Sequence, residues 1–464
     1  MGACRRSRGQ ALPQNAPRPR PPAACGAPTL TTATSTDCLH ALRPARLQRA
    51  FHPGLLAALL LGACASGPGP ATPPAASLPA PAASASEAAE DARFAQWLAA
   101  FRAQARNTGI SEATLHTALD GVQRREHAVR QDRSQPEFTR ALWEYLDSAI
   151  SPQRVATGQQ KLVELRSEFD AASAGYGVPA AVLAAVWGIE SNYGRNYGDV
   201  PVFDALATLG FEGRRESWAR AELMAALQIV QRGDIDHARM VGSWAGAMGQ
   251  TQFLPSSYLA FAVDADGDGR RDIWASMADV LSSTANFLAR SGWRADEPWG
   301  AEVRLPAGFD PARADADLRQ DAAQWTAEGV TAIDGAPLPA MAEAAILQPA
   351  GARGPAFIVG RNFRSILRYN NSTSYALTVG LLSQRIAGGP AVQATWPREL
   401  RALTWGELQV LQQGLNRRGF DSGTADGQMG PATRRALRQY QRSVGMPADG
   451  YPTAELLERL RGEP

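Results

Sequence analysis

Past its first 64 residues, this 464-residue chain lacks most of the side chains that hydrolytic and redox chemistries use. All four cysteines (Cys4, Cys25, Cys38 and Cys64) lie in that first stretch. The body therefore has no disulfide, no thiol nucleophile and no thiolate metal site. Of the histidines only His116, His127 and His237 lie in the body, and none is spaced as a ligand pair, which argues against zinc hydrolase chemistry. No Gly-x-Ser-x-Gly elbow occurs, although counting alone leaves a Ser-His-Asp triad open. Lys161 is the sole lysine among 47 basic residues. With so much Ala, Arg, Gly and Pro, that reads as the codon bias of a GC-rich genome. The 45 acidic residues nearly cancel the basic ones, so the chain has no basic footprint and no nucleic-acid partner is expected.

The charge that exists is unevenly placed. Residues 1–64 carry eight arginines and one acid, Asp37. Arg43, Arg46 and Arg49 precede the apolar run Leu55–Leu61, which ends at Gly62-Ala63-Cys64. A basic region, a short apolar region and a small-residue processing site make an export signal. The run is too short to cross a bilayer, which takes about 20 residues. Leu61-Gly62-Ala63-Cys64 resembles a bacterial lipobox, in which Cys64 becomes the lipid-modified first residue and the membrane anchor. Ala65-Ser66 after it offers no Asp that would favour inner-membrane retention, so the expected location is the periplasm, on the outer membrane. Residues 1–41 have no apolar periodicity, and export signals seldom start so far in, so translation is expected to start near residues 42–47. Residues 65–90 are Pro/Ala/Ser-rich and read as a disordered tether.

From about residue 91 the pattern turns helical, with Phe94, Trp97, Leu98 and Phe101 three and four apart. Helical periodicity continues to about 388, with little strand alternation outside short stretches such as 356–360. A Pro-bearing linker at 389–402 then leads to a small unit at 403–461. The expected fold class is mainly α. In the small unit, Thr404-Trp405-Gly406-Glu407 forms a capping box before Leu408, Leu411 and Leu415 on one helical face. Leu437, Tyr440 and Val444 mark a second helix, and Leu456, Leu457 and Leu460 a third. Asp426-Gly427 and Asp449-Gly450 make the turns. The spaced Leu-Gln, Asp-Gly and Tyr-Gln pattern resembles the three-helix peptidoglycan-binding domain of cell-wall hydrolases. No catalytic cluster is visible in this unit, so binding is its implied task.

The most informative stretch is 178–198. Pro179 suits a first helical turn. Val182, Leu183, Val186 and Ile189 form an apolar stripe that Glu190 extends, with Trp187 one turn back and a stop at Gly194. A carboxyl group against apolar and aromatic surface has its pKa raised and can serve as a general acid near neutrality. On spacing alone, a solvated or capped helix-end Glu is the commoner outcome.

The surrounding blocks change that balance. Glu190-Ser191-Asn192-Tyr193-Gly194, Phe203–Leu209, Arg214-Arg215, Gly242–Tyr258 and Arg368–Ala376 together resemble, in order, the membrane-bound lytic murein transglycosylase B family over about 91–388. The resemblance implies a lysozyme-like helical body with a single glutamate, Glu190, that protonates the glycosidic oxygen and then acts as base. It implies that Ser243 and Gln252 contact the substrate and that Arg214 and Arg215 hold sugar or peptide-stem oxygens. Tyr369, Asn370 and Tyr375 would line the cleft, Phe253 would give a sugar-stacking face, and Tyr145 would join them from a weaker local match. The implied substrate is the glycan strand of peptidoglycan, cut between N-acetylmuramic acid and N-acetylglucosamine with a 1,6-anhydromuramic end. Two rivals stay open at this point. One is a muramidase using a second carboxylate near Asp199 or Asp204, since ordinary glycosidases use two. The other is a silent wall-binding lipoprotein that organises other cell-wall enzymes.

Asp264, Asp266, Asp268, Arg270 and Asp272 occupy positions 1, 3, 5, 7 and 9 of an EF-hand loop, with Gly269 at the sharp turn of position 6. Position 12 is Ala275, so the usual bidentate Glu is missing. The family has a calcium loop at this place, closed by an acid further on, which nominates Asp279. Crowded carboxylates repel one another without a cation, which favours a structural Ca2+.

Overall fold

Helix Ala85–Asn107 opens the computed structural model, which describes residues 85–133 and 140–462. It begins ahead of the boundary expected at 91, because Glu87, Ala88, Ala89 and Glu90 are good helix formers that extend the pattern backwards. The rest of the Pro/Ala/Ser-rich stretch, the export signal and Cys64 lie outside the described residues. On this helix Phe94, Trp97 and Phe101 stack in series, with centroids 6.5 and 5.8 Å apart.

The body is built around helix Ala180–Ser191. Val182 to Gly188 are all buried, as befits a helix apolar on every side. Helices Pro152–Glu164, Arg166–Tyr176, Met277–Arg290 and Thr373–Ile386 pack around it, and one apolar cluster runs through all of them. Among the described residues no single helix is long and apolar enough to cross a membrane. The apolar pair Arg166–Tyr176 and Ala180–Ser191 is bent by 111°.

The sequence pattern hid a four-stranded antiparallel sheet. Strand Gly300–Arg304 pairs with Thr331–Ala332 on one side and with Ala356–Val359 on the other, and Ala345–Leu347 pairs with Ala356–Val359. The register sets Gly300 opposite Val359 and Val303 opposite Ala356. The strands are too short for alternation to show, and Ala356–Val359 is buried on both faces. Trp325 fills this subdomain's own core with Val303, Val330, Ile346 and Ile358, and its indole N–H donates to the Ala344 carbonyl at 2.9 Å.

Residues 389–402 are fastened to the body along their length. The Glu302 carboxylate accepts from the backbone N–H groups of Gln393 and Ala394. Trp396 packs between Trp143 and Phe357, and Arg398 makes a two-pronged pair with Asp147. This stretch is a strap, not a free linker.

The C-terminal unit has helices Trp405–Arg417, Pro431–Ser443 and Ala454–Gly462, with the Thr404/Glu407 capping box in place. Its Leu-Gln and Tyr-Gln pairs have a clear task. The Gln412 amide donates to Asp426 Oδ1 and accepts from the Gly427 N–H, closing the first Asp-Gly turn onto a helix. Gln441 does the same to Asp449 and Gly450. The unit is docked on the body: Arg438 pairs with Asp315 and donates to the Ala314 carbonyl, Arg442 pairs with Asp310, and Asp449 Oδ2 accepts from the Ala352 N–H.

Candidate active site

Glu190 lies in the last turn of Ala180–Ser191 and keeps part of its surface open. The Tyr375 hydroxyl donates to its Oε1 at 2.5 Å. Tyr375 is 4% exposed and stands at the start of helix Thr373–Ile386, where Ser372 Oγ caps its backbone N–H. Two effects oppose each other at Glu190. Burial disfavours the carboxylate, while the Tyr375 hydrogen bond favours it. Burial wins, and the pKa is pushed up to about 7. Burial and then the Glu190 charge hold the Tyr375 and Tyr369 hydroxyls well above the ordinary phenol range, so both stay neutral donors. Tyr369 stacks on Tyr375 at 6.5 Å and donates to the Thr251 carbonyl at 2.7 Å.

The segment around Gly242–Phe253 packs beside the turn that carries Glu190. Ser243 Oγ accepts from the Ala245 and Ala247 N–H groups and holds a tight turn. Gln252 donates to the carbonyls of Tyr197 and Gly249, both at 2.9 Å. The backbone here is strained: Asn192 (φ 49°), Tyr193 (φ 59°) and Gln252 (φ 51°) are left-handed without being glycine. Each costs about 1–3 kcal/mol, and such strain gathers at functional sites. Gly194 ends the turn after Glu190 at φ +78°, where a Cβ would come within 2.2 Å of Gln250 Oε1. Gly198 lets this segment and the one after Glu190 approach closely, since a Cβ there would stand 2.1 Å from the Gly242 carbonyl oxygen.

Not every expected residue is free to meet a substrate. Phe253 is 2% exposed and packs against Phe287 and Tyr369 at 5.7 and 5.6 Å, so it cannot offer a sugar-stacking face. It supports Tyr369 from behind. Arg214 and Arg215 are both bound to Asp132, Arg214 through two nitrogens, and Arg215 also lies over the Trp218 ring at 4.7 Å. Asp132, buried and held well ionised by these arginines, was missed because nothing in its local sequence marks it. Asn370 is exposed at the end of helix Arg361–Tyr369. Tyr145 is half-buried and close enough to act electrostatically on Tyr375.

Neither of the two carboxylates considered as a second catalytic group is seen in contact with Glu190. Asp204 is buried, bound by Arg125 at 2.7 Å, and accepts from the Gln123 N–H. Asp199 is exposed next to the two-stranded pairing of Val200–Pro201 with Val241–Gly242. Among the described residues no other carboxylate's charge perturbs Glu190.

In the acidic loop, carboxylate oxygens of Asp264, Asp266 and Asp268 all lie within 4.8 Å of one another. Their other contacts are N–H and O–H donors: Asp264 accepts from Gly267 and Gly269, Asp266 from Asp268 and Ser276, and Asp268 from Arg270. Oxygen-only donors around one point fit a hard cation such as Ca2+. Asp279 stands apart from this cluster. Fully buried, its two oxygens accept from the Ala265 and Asp272 N–H groups at 2.7 Å each. It latches the two ends of the loop, and burial raises its pKa to about 6. Asp272 caps the turn below through Trp274 and Ala275.

A mostly helical body that sets one protonatable glutamate against a tyrosine hydroxyl beside a strained loop defines a lysozyme-like enzyme. Residues 93–384 match the transglycosylase SLT domain family, and residues 406–460 match a peptidoglycan-binding domain family. The chain belongs to the transglycosylase SLT family, and its relatives are lytic transglycosylases. SltB3 of Pseudomonas aeruginosa, solved in complex with NAG-anhNAM-pentapeptide, is 50% identical with a TM-score of 0.77, over 79% of this chain and 99% of that one. Membrane-bound lytic murein transglycosylase B of Escherichia coli (strain K12) is 34% identical over 250 residues, 52% of this chain and 66% of that relative's length. Escherichia coli Slt35, solved in complex with calcium, is 30% identical with a TM-score of 0.55, over 64% of this chain and 92% of that one.

Proposed function

We propose that this chain is a lytic murein transglycosylase that cuts between N-acetylmuramic acid and N-acetylglucosamine with Glu190 as its only acid/base. The observation that carries this reading is the state of Glu190: its pKa of about 7 leaves it close to half protonated at neutral pH. The protonated form donates to the glycosidic oxygen as the bond to the muramic C1 breaks. The resulting carboxylate, steadied by the Tyr375 hydroxyl, takes the proton of the muramic C6 hydroxyl, whose oxygen bonds to C1. The products are a free N-acetylglucosamine end and a 1,6-anhydromuramic end. No water enters, and Glu190 regains its proton.

The two-carboxylate rival loses support because Asp204 is bound by Arg125 and no neighbouring carboxylate perturbs Glu190 among the described residues. The relative SltB3 was solved with an anhydro-sugar peptide, which favours the same product here. In this reading Ser243, Gln252, Tyr369, Asn370 and Tyr145 form or brace the substrate site, and Arg214 and Arg215, oriented by Asp132, hold sugar or peptide-stem oxygens. The C-terminal unit holds the wall. The loop at Asp264, Asp266, Asp268 and Asp272, with the Arg270 carbonyl, holds a structural Ca2+, which supplies rigidity rather than chemistry. Cys64 anchors the chain by lipid, with the enzyme in the periplasm on the outer membrane; the export signal and the membrane-bound relative support this. Mass spectrometry of muropeptides released from purified sacculi tests the reading. Products one water lighter than the reducing forms are expected, and reducing ends would refute the single-carboxylate route.

A further inference from the structure

Gln250 lies between the acidic loop and the catalytic helix, and it is tied to both. Its buried side chain accepts from the Trp187 indole N–H at 2.8 Å and donates to the Trp274 carbonyl at 2.7 Å. Its own backbone N–H donates to the Ile273 carbonyl at 2.9 Å. Trp187 is one turn before Glu190 on the same helix, while Ile273 and Trp274 close the acidic loop. The contact extends to the far side of Glu190, where the side chain fills the space that the absent Cβ of Gly194 leaves. The loop end is fixed in turn: Asp279 holds the Asp272 N–H, Asp272 holds the Trp274 N–H, and the Trp274 indole donates to the Val241 carbonyl. A continuous chain of hydrogen bonds thus runs from Asp279 to the turn carrying Glu190.

We propose that Gln250 is a positioning residue that transmits the order of the acidic loop to Glu190. A buried amide with both ends bonded has a single low-energy orientation, because turning it over would set donor against donor and acceptor against acceptor. It fixes Trp187 to a loop more than 80 residues away in sequence, and so fixes the helix end just where the backbone is strained at Asn192 and Tyr193. The inference rests on Glu190 being the acid/base.

The test uses the full chain and five proteins: wild type, Gln250→Met, Gln250→Glu, Asp279→Asn and the Asp279→Asn/Gln250→Met double variant. Each is assayed for kcat, KM and pH dependence on sacculi, with thermal melting alongside. Met keeps the volume and loses both side-chain bonds. Glu keeps the acceptor for Trp187 and loses the donor to Trp274, so it serves if the Met variant does not fold. Misplaced catalytic groups are costly, so each Gln250 variant should lower kcat about ten- to a hundredfold with KM within about twofold. In the Gln250→Met variant the basic limb of the pH profile should move to lower pH, because a loosened helix end admits water to Glu190. Asp279→Asn should lower kcat in the wild type and add little in the Gln250→Met background, since both act through one link. A lower melting temperature with an unmoved pH limb, or fully additive losses, would overturn the proposal. Absence of anhydro products from the wild type would sink the catalytic reading instead, so the two failures are distinct.

Discussion

Replacing Glu190 by Gln should make the protein more stable while disabling it. In the fold Glu190 titrates at about 7 against an ordinary value of 4.5, so the native state favours its protonated form. For a pKa raised on folding, the stability contribution is fully present below about pH 4.5 and is lost as pH rises through about 7. At about 1.36 kcal/mol per unit, the loss amounts to about 3 kcal/mol. Gln is neutral at every pH, has nearly the same shape and can accept from Tyr375. The Glu190→Gln variant should therefore gain about 3 kcal/mol over the wild type at pH 8 and match it near pH 4. Urea unfolding at both pH values reads the difference directly. In a domain of this size the pH 8 gain corresponds to a melting temperature higher by about 6 °C. The same substitution removes the proton donor and should lower kcat about a thousandfold. Equal stability at pH 8 would refute the buried-acid argument, and full wall-lysing activity would refute the catalytic assignment.

Tyr375→Phe should act in the opposite sense on the titration. The lost hydrogen bond favoured the carboxylate, so the basic limb of the kcat/KM profile should rise by about one to two pH units, with about 1 kcal/mol of stability lost at pH 8 and none near pH 4. Calcium should raise the melting temperature of the wild type over a chelated sample, the gain being about 2.7 kcal/mol at a hundred times the dissociation constant. An Asp264→Asn/Asp268→Asn variant should show none of this gain, and an equal gain would place the cation elsewhere. Gln412→Ala strips the first Asp-Gly turn of its clasp and leaves buried groups of Gly427 and Thr433 without their partner. It should cost the C-terminal unit about 2–3 kcal/mol by calorimetry while the body still cuts soluble glycan; an unchanged transition would refute the clasp's role.

What was legible in the sequence had a period or a fixed spacing. The apolar stripe through Val182, Leu183 and Val186 gave the helix of Glu190, and Thr404 with Glu407 gave the start of the C-terminal unit. The expected Pro/Ala/Ser tether ended early because helix propensity in 87–90 outweighed composition. The sheet was illegible because its strands run two to five residues and are largely buried, which leaves no alternation to read. Phe253 shows the limit of a motif: the block was recognisable, but only packing tells that the ring faces Phe287 and Tyr369 instead of the cleft. Asp132 and Gln250 are the converse. Their partners lie 82 and 63 residues away, so no local pattern announced them.

Asp449 closes the second Asp-Gly turn with one oxygen and grips the Ala352 backbone with the other, while Arg438 and Arg442 reach Asp315 and Asp310. A gene designer reading the sequence would cut at residue 402 and expect a portable cassette. The cut would leave half of a joint on each piece: a carboxylate and two guanidinium groups on one, and two aspartates with a bare N–H on the other. A chimera that keeps the binding unit's grip therefore has to carry its socket, residues 310–315 and 351–352, or have one engineered on the new host.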